Sequence, residues 1–128
     1  MDIIQEPHDA LFKVVFSNPQ HARAELVAVL PAALVAHLDL DTLRRRPGSF
    51  VDPELRKAFT DLLYSVNLHG QETLVYILLE HQSRSDRWMP LRLWLYLGKI
   101  WRAFLDDNPR ANRLPLIIPV IIHHSASP

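Results

Sequence analysis

A chain of 128 residues is one domain of ordinary size, and with 48% hydrophobic and 22% charged residues it can bury a core, which excludes intrinsic disorder. Its 14 basic and 14 acidic residues cancel, so a nucleic-acid binder announced by bulk positive charge is excluded and any such role needs a local patch. The absence of cysteine excludes a disulfide framework and a cysteine-ligated zinc site.

The opening residues, Met1 to Glu6, lack the basic and apolar regions of a signal peptide. No window reaches the roughly 18 apolar residues of a membrane span. A cytoplasmic chain without a membrane partner is therefore expected. Between His8 and Phe16, the spacing of Leu11, Phe12, Val15 and Phe16 predicts an amphipathic helix with Asp9 in its first turn, where a carboxylate suits the helix dipole. Ser17-Asn18-Pro19 breaks that pattern. A second helix follows from about Gln20 to Leu30, with Leu26, Val27 and Leu30 as its core stripe. Pro31 either kinks it or opens a short third helix through Leu38.

Asp39 to Gly48 reads as a polar loop containing Arg44, Arg45 and Arg46, which could face phosphates or simply stand in solvent. Ser49 to Pro53 reads as a turn, with a short edge strand before it as an alternative. Asp61 to Leu68 is an apolar strand, His69 to Glu72 a hairpin loop, and Thr73 to Glu80 the returning strand. That strand ends abruptly in Glu80-His81-Gln82-Ser83, with Glu80 and Gln82 on one face and His81 on the other. A four-residue loop sets Leu68 against Thr73 and hence Asp61 directly against Glu80. Like charges opposed at about 4.5–5.5 Å destabilise a sheet unless a cation sits between them.

From Asp86 to about Asn108 a long helix is expected, apolar nearly all round and therefore extensively buried. Leu114 to His123 is a last strand whose two prolines demand a sheet edge or bulges. The long connection allows a crossover, so a mixed sheet flanked by helices follows.

Asp61, Glu80 and Gln82 offer hard oxygen ligands suited to Mg²⁺ or Mn²⁺, an ion that polarises a phosphoryl oxygen and acidifies water. The carbonyl of His81 could complete the set. The alternative is a pair of solvated strand ends, with Glu80 pairing Arg84 or Arg92. Weaker candidates are His123-His124, Asp106-Asp107, and Arg92 with Tyr96 one helical turn on. Trp88, Trp94 and Trp101 read as core or interface rather than as platforms for stacked bases.

Several segments taken together carry a resemblance: His8-Asp9-x-x-Phe12-Lys13-x-x-Phe16, Asp61-Leu62-Leu63-Tyr64, Leu78-Leu79-Glu80-His81-Gln82-Ser83, Asp86-x-x-Met89-Pro90-x-Arg92-x-x-x-Tyr96 and Leu114-Pro115-x-x-x-Pro119-Val120. The combination resembles the YhgA-like proteins, the Rpn recombination-promoting nucleases also catalogued as transposases. It implies the PD-(D/E)xK nuclease superfamily and an α/β fold with a restriction-endonuclease-like core, a mixed β-sheet with a central antiparallel hairpin flanked by helices. By position it makes Asp61 the metal-binding aspartate, Glu80 the second acidic ligand and Asp9 a further acidic position of the metal site. Gln82 occupies the superfamily's lysine position without a lysine's charge, so catalysis would lean harder on the metal or on Arg92 or Tyr96. Family members are longer, which implies a chain cut short at its C-terminus, with missing residues or a second copy in a homodimer covering part of the long helix.

Three readings follow. The first is a Mg²⁺-dependent endonuclease acting on DNA in recombination or transposition, with Arg44, Arg45, Arg46, Arg84 and Arg87 steering the phosphate backbone. The second is a degenerate, inactive module that dimerises or binds a partner, favoured by Gln82 and by zero net charge. The third is DNA binding without cleavage.

Overall fold

A two-residue turn organises the chain. In the computed structural model, which describes residues 14, 16–46, 59–80 and 87–123, strands β2 (Phe59–Leu68) and β3 (Gln71–Glu80) are joined by His69 and Gly70 alone. Both turn residues have positive φ, 52° and 79°, the left-handed pair whose twist matches that of the flanking strands. Gly70 adopts that conformation at little cost, and with no atom within 4 Å of an added Cβ, it is backbone freedom and not space that favours glycine there. The expected four-residue loop is thus corrected. Gln71 and Glu72 belong to β3, and Leu68 pairs with Gln71 instead of Thr73.

The hairpin is the middle of a four-stranded mixed sheet in the order β1-β2-β3-β4, which is compatible with a restriction-endonuclease-like fold. Strand β4 (Ile117–His123) runs parallel to β3 after the crossover through the long helix. Its Pro119 cannot donate to a ladder, and β4 accordingly occupies a sheet edge. The opposite edge is β1 (Leu38–Arg46), antiparallel to β2, where a polar loop was expected. It is longer than the short edge strand allowed as the alternative. Five steps along β1, Asp39 to Arg44, match only two along β2, Asn67 to Ser65, so the strand carries a multi-residue bulge. Thr42 in that bulge takes over a ladder bond, its hydroxyl accepting from the Asn67 N–H at 2.8 Å. Exposed charges and a bulge are common protections for a free edge.

Pleat alternation divides the sheet into two apolar faces. Leu62, Tyr64, Val66, Val75, Ile77 and Leu79 point toward helix α1 (Pro19–Val29), whose Ala22 and Leu26 are buried against them. The Asn18 side chain caps α1 by accepting from the Gln20 N–H at 2.9 Å, and Pro19 occupies its first turn. The buried stripe is Ala22, Leu26 and partly Leu30, four residues apart, while Val27, expected in the core, is 49% exposed. Pro31 opens a separate one-turn helix, α2 (Ala32–Val35), rather than kinking α1. The helix expected over His8 to Phe16 lies largely outside the described residues; Phe16 itself is buried in this core.

The other face, formed by Leu63, Leu74, Tyr76 and Leu78, is covered by α3 (Met89–Asp107), which buries Tyr96, Leu97 and Ile100. The Trp101 indole N–H donates to the Pro115 carbonyl at 2.8 Å and ties α3 to the approach to β4. Among the described residues only one side of α3 is covered. Leu91, Trp94 and Leu95 are more than half exposed, which corrects the expected burial all round, because the sheet offers α3 a single surface. No helix among the described residues is long and apolar enough to cross a membrane.

Tyr64 differs from its neighbours in one respect. Its side chain is fully buried and its hydroxyl has no hydrogen-bond partner among the described residues. Burial raises its pKa, partly opposed by the positive charge of Arg45. A buried hydroxyl without a partner costs about 1–3 kcal/mol. Tyr64→Phe is expected to raise stability by about 1 kcal/mol, read as a higher urea midpoint with an unchanged slope.

Candidate active site at one end of the sheet

Three strands finish, and one starts, at the same end of the sheet. The C-terminal residues of β1, β3 and β4 meet the N-terminal residues of β2 there. Asp61 is the third residue of β2 and is 8% exposed, one of the few buried polar side chains of the sheet. Its Cα partner on β3 is Leu78, and Glu80 pairs with Phe59. The directly opposed carboxylates expected from the longer loop are therefore corrected. The shift is two residues, however, an even number, so position 80 keeps the pleat phase of Leu78 and stays on the face of Asp61. It is the diagonal neighbour of Asp61, at the usual spacing of about 7–8 Å.

The other diagonal neighbour is Tyr76. Its phenol O–H donates to Asp61 Oδ2 at 2.8 Å in the buried layer beneath α3. Burial, followed by the Asp61 charge and hydrogen bond and then Tyr96, holds the Tyr76 phenol well above the usual tyrosine range, so it remains a donor at physiological pH. Asp61 thus stands between a phenol on its core side and position 80 toward the strand end. Burying a carboxylate costs several kcal/mol unless it is hydrogen-bonded or paired, and the phenol offsets part of that cost. Tyr76 was not among the residues singled out from sequence. A signal for it exists, since Tyr76 lies an even number of residues before Glu80 and so shares its face.

Glu80 also pairs with His123 of β4, which puts the weaker histidine candidate at the same sheet end. Tyr96 is buried in the Tyr76 layer, with the Lys99 ammonium 5.6 Å from its ring centroid. Arg92 lies one turn before Tyr96 and is half-buried. Arg44 and Arg45, on β1, are exposed, and Arg46 lies 3.8 Å from Glu72. Through the register Arg44 and Arg46 share the Asp61 face, while Arg45 shares that of Tyr64. Arg87 sits just before α3 with its guanidinium 5.8 Å from the Trp88 ring centroid. Asp106 pairs with Arg102 at 3.4 Å on the exposed surface, as a solvated helix end does. Asp9, Gln82 and Arg84 lie outside the described residues.

A family model described as "Putative transposase, YhgA-like" matches residues 6–128. Recombination-promoting nuclease RpnD of Escherichia coli O157:H7 is 39% identical over 120 residues, 94% of this chain and 46% of that protein. Recombination-promoting nuclease RpnA of E. coli K12 is 36% identical over 118 residues, 92% of this chain and 40% of that protein. A third E. coli K12 relative, named inactive recombination-promoting nuclease-like protein RpnE, is 35% identical over 118 residues, 92% of this chain and 39% of that protein. The chain spans less than half the length of each of these relatives. No solved structure matches it. A match over nearly the whole chain, on a mixed sheet with a buried aspartate at its end, means that this chain belongs to the YhgA-like transposase family.

Proposed function

We propose that this chain is the nuclease domain of a recombination-promoting protein and hydrolyses phosphodiester bonds of DNA with a divalent cation. The observation that carries this reading is the Asp61 carboxylate, buried on β2, held by Tyr76 and sharing a face with position 80 near the end of the sheet. A protein seldom buries a carboxylate on an apolar face without a use for its charge. The donor chemistry fits Mg²⁺ or Mn²⁺, since Asp61 and Glu80 offer hard oxygen atoms. A cation held by them would supply Lewis-acid charge to the scissile phosphoryl group. Asp9 and Gln82 belong to the same proposal as a further ligand and as the occupant of the lysine position.

The chain's own residues have separable roles in this reading. Asp61 and Glu80 hold the cation. The Tyr76 layer keeps water from the inner side of Asp61. Arg44, Arg45 and Arg46, with Arg84 and Arg87, attract the phosphate backbone, a term that weakens as salt rises. The test is nicking of supercoiled plasmid DNA. Mg²⁺-dependent nicking is expected, lost with chelator and lost in Glu80→Ala. Cleavage that persists in chelator or is unchanged in Glu80→Ala would sink the assignment.

A second reading has one specific observation behind it. A relative at 35% identity is named inactive, so a chain of this family can carry the fold without the activity. An inactive module predicts no Mg²⁺ binding that depends on Glu80 in calorimetry.

A further inference from the structure

Two fully buried tyrosines sit in the central hairpin, one on each face of the sheet. Tyr64 faces α1, and its hydroxyl meets no partner among the described residues. Tyr76 faces α3, and its hydroxyl is spent on Asp61 Oδ2 at 2.8 Å. Burial is the same, so the apolar ring explains neither hydroxyl. For Tyr76 the contact explains it, and the geometry of that contact is directional. With Leu78 directly across from Asp61, the phenol reaches Asp61 along the inward diagonal, while the outward diagonal leads to position 80. A hydrogen bond from one side restricts the torsion of a carboxylate about its Cβ–Cγ bond. Second-layer partners that orient metal-ligating carboxylates in this way are worth about 10–100-fold in metal affinity.

We infer that Tyr76 is a positioning residue for the cation site, its phenol holding the Asp61 carboxylate from the core side in the rotation that presents it toward position 80 and the end of the sheet. The inference rests on the reading of Asp61 as a cation ligand. It does not make Tyr76 a catalytic residue, because the phenol lies on the core side of Asp61 and touches no reacting group.

Calorimetric titration of the full chain with Mn²⁺ tests it through three variants. Tyr76→Phe keeps the ring and removes the hydroxyl, and its dissociation constant is expected to rise by about 10–100-fold. Asp61→Asn is expected to lose binding. Tyr64→Phe, matched in burial and in chemistry, is expected to bind as the parent does. Binding lost in Asp61→Asn but unchanged in Tyr76→Phe overturns the role of Tyr76 alone. Binding unchanged in both overturns the cation site as well. Equal weakening in Tyr64→Phe and Tyr76→Phe reduces the effect to core packing and also overturns the inference. A measurement on the parent chain covers the case in which Tyr76→Phe fails to fold. With tyrosines labelled at ¹³Cζ, added Mg²⁺ should move the Tyr76 resonance and leave that of Tyr64 in place, and a Tyr76 resonance that stays still under saturating Mg²⁺ overturns the inference.

Discussion

Asp61→Asn is expected to reduce divalent-cation-dependent cleavage by at least about 100-fold, more than the 10–100-fold carried by outer-layer partners, while stability stays within about 1 kcal/mol of the parent. The two halves of this expectation have different origins. Asparagine matches aspartate in shape, and its amide oxygen still accepts the Tyr76 hydroxyl that now reaches Oδ2. What it lacks is the negative charge that, in the proposed function, would hold a cation. The residue is 8% exposed, so removing that charge also removes a desolvation cost and offsets any weakening of its hydrogen bonds. Plasmid nicking and urea unfolding of the same preparation check both halves. Cleavage near the parent level would remove Asp61 from the site. Loss of cooperative unfolding would recast it as a structural residue.

Leu78→Asp should have the opposite profile, a loss of at least about 3–5 kcal/mol in folding stability. Leu78 is fully buried and directly opposite Asp61. The substitution would build, in the buried layer beneath α3, the opposed pair of carboxylates that a four-residue hairpin loop would have created between Asp61 and Glu80. It removes a buried leucine, itself worth about 1.5–3 kcal/mol of burial, and adds a second buried charge close to the first. Against a typical domain stability of about 5–15 kcal/mol, that leaves little or no folded protein. Circular dichroism with a denaturant titration reads the result. A midpoint within about 0.5 M urea of the parent would mean that Leu78 does not face Asp61 and that the register is different.

These two substitutions separate what a carboxylate does at Asp61 from what it would do one strand away. They also show why the site stands where it does. Along β3 the α3 face is apolar from Leu74 through Tyr76 to Leu78, while β2 carries buried Ser65 and Asp61 on it. Asp61 is deep enough to need the Tyr76 donor and near enough to the strand end to share a face with position 80. A basic edge strand finishes at the same end, with exposed Arg44 and Arg45. The residues of the proposed site thus come together by where strands terminate, and not by any contiguous motif.

Much of this was legible along the chain. The break at Ser17-Asn18-Pro19, the apolar run from Leu74 to Leu79, the helix ending at Asn108 and the proline in an edge strand are local statements. Each depends on residues within a few positions of one another, so sequence by itself determined these elements, the mixed sheet and the candidacy of Asp61 and Glu80. Three things needed the tertiary structure. The hairpin register depended on whether His69-Gly70 alone could close the turn, and the left-handed conformation of both residues moved Glu80 from opposite Asp61 to its diagonal. Strand β1 is polar and charged by composition, and it becomes a strand because β2 offers an unpaired edge that outweighs its weak local preference. The contact between Tyr76 and Asp61 spans 15 positions and exists only through cross-strand pairing, which no local pattern encodes.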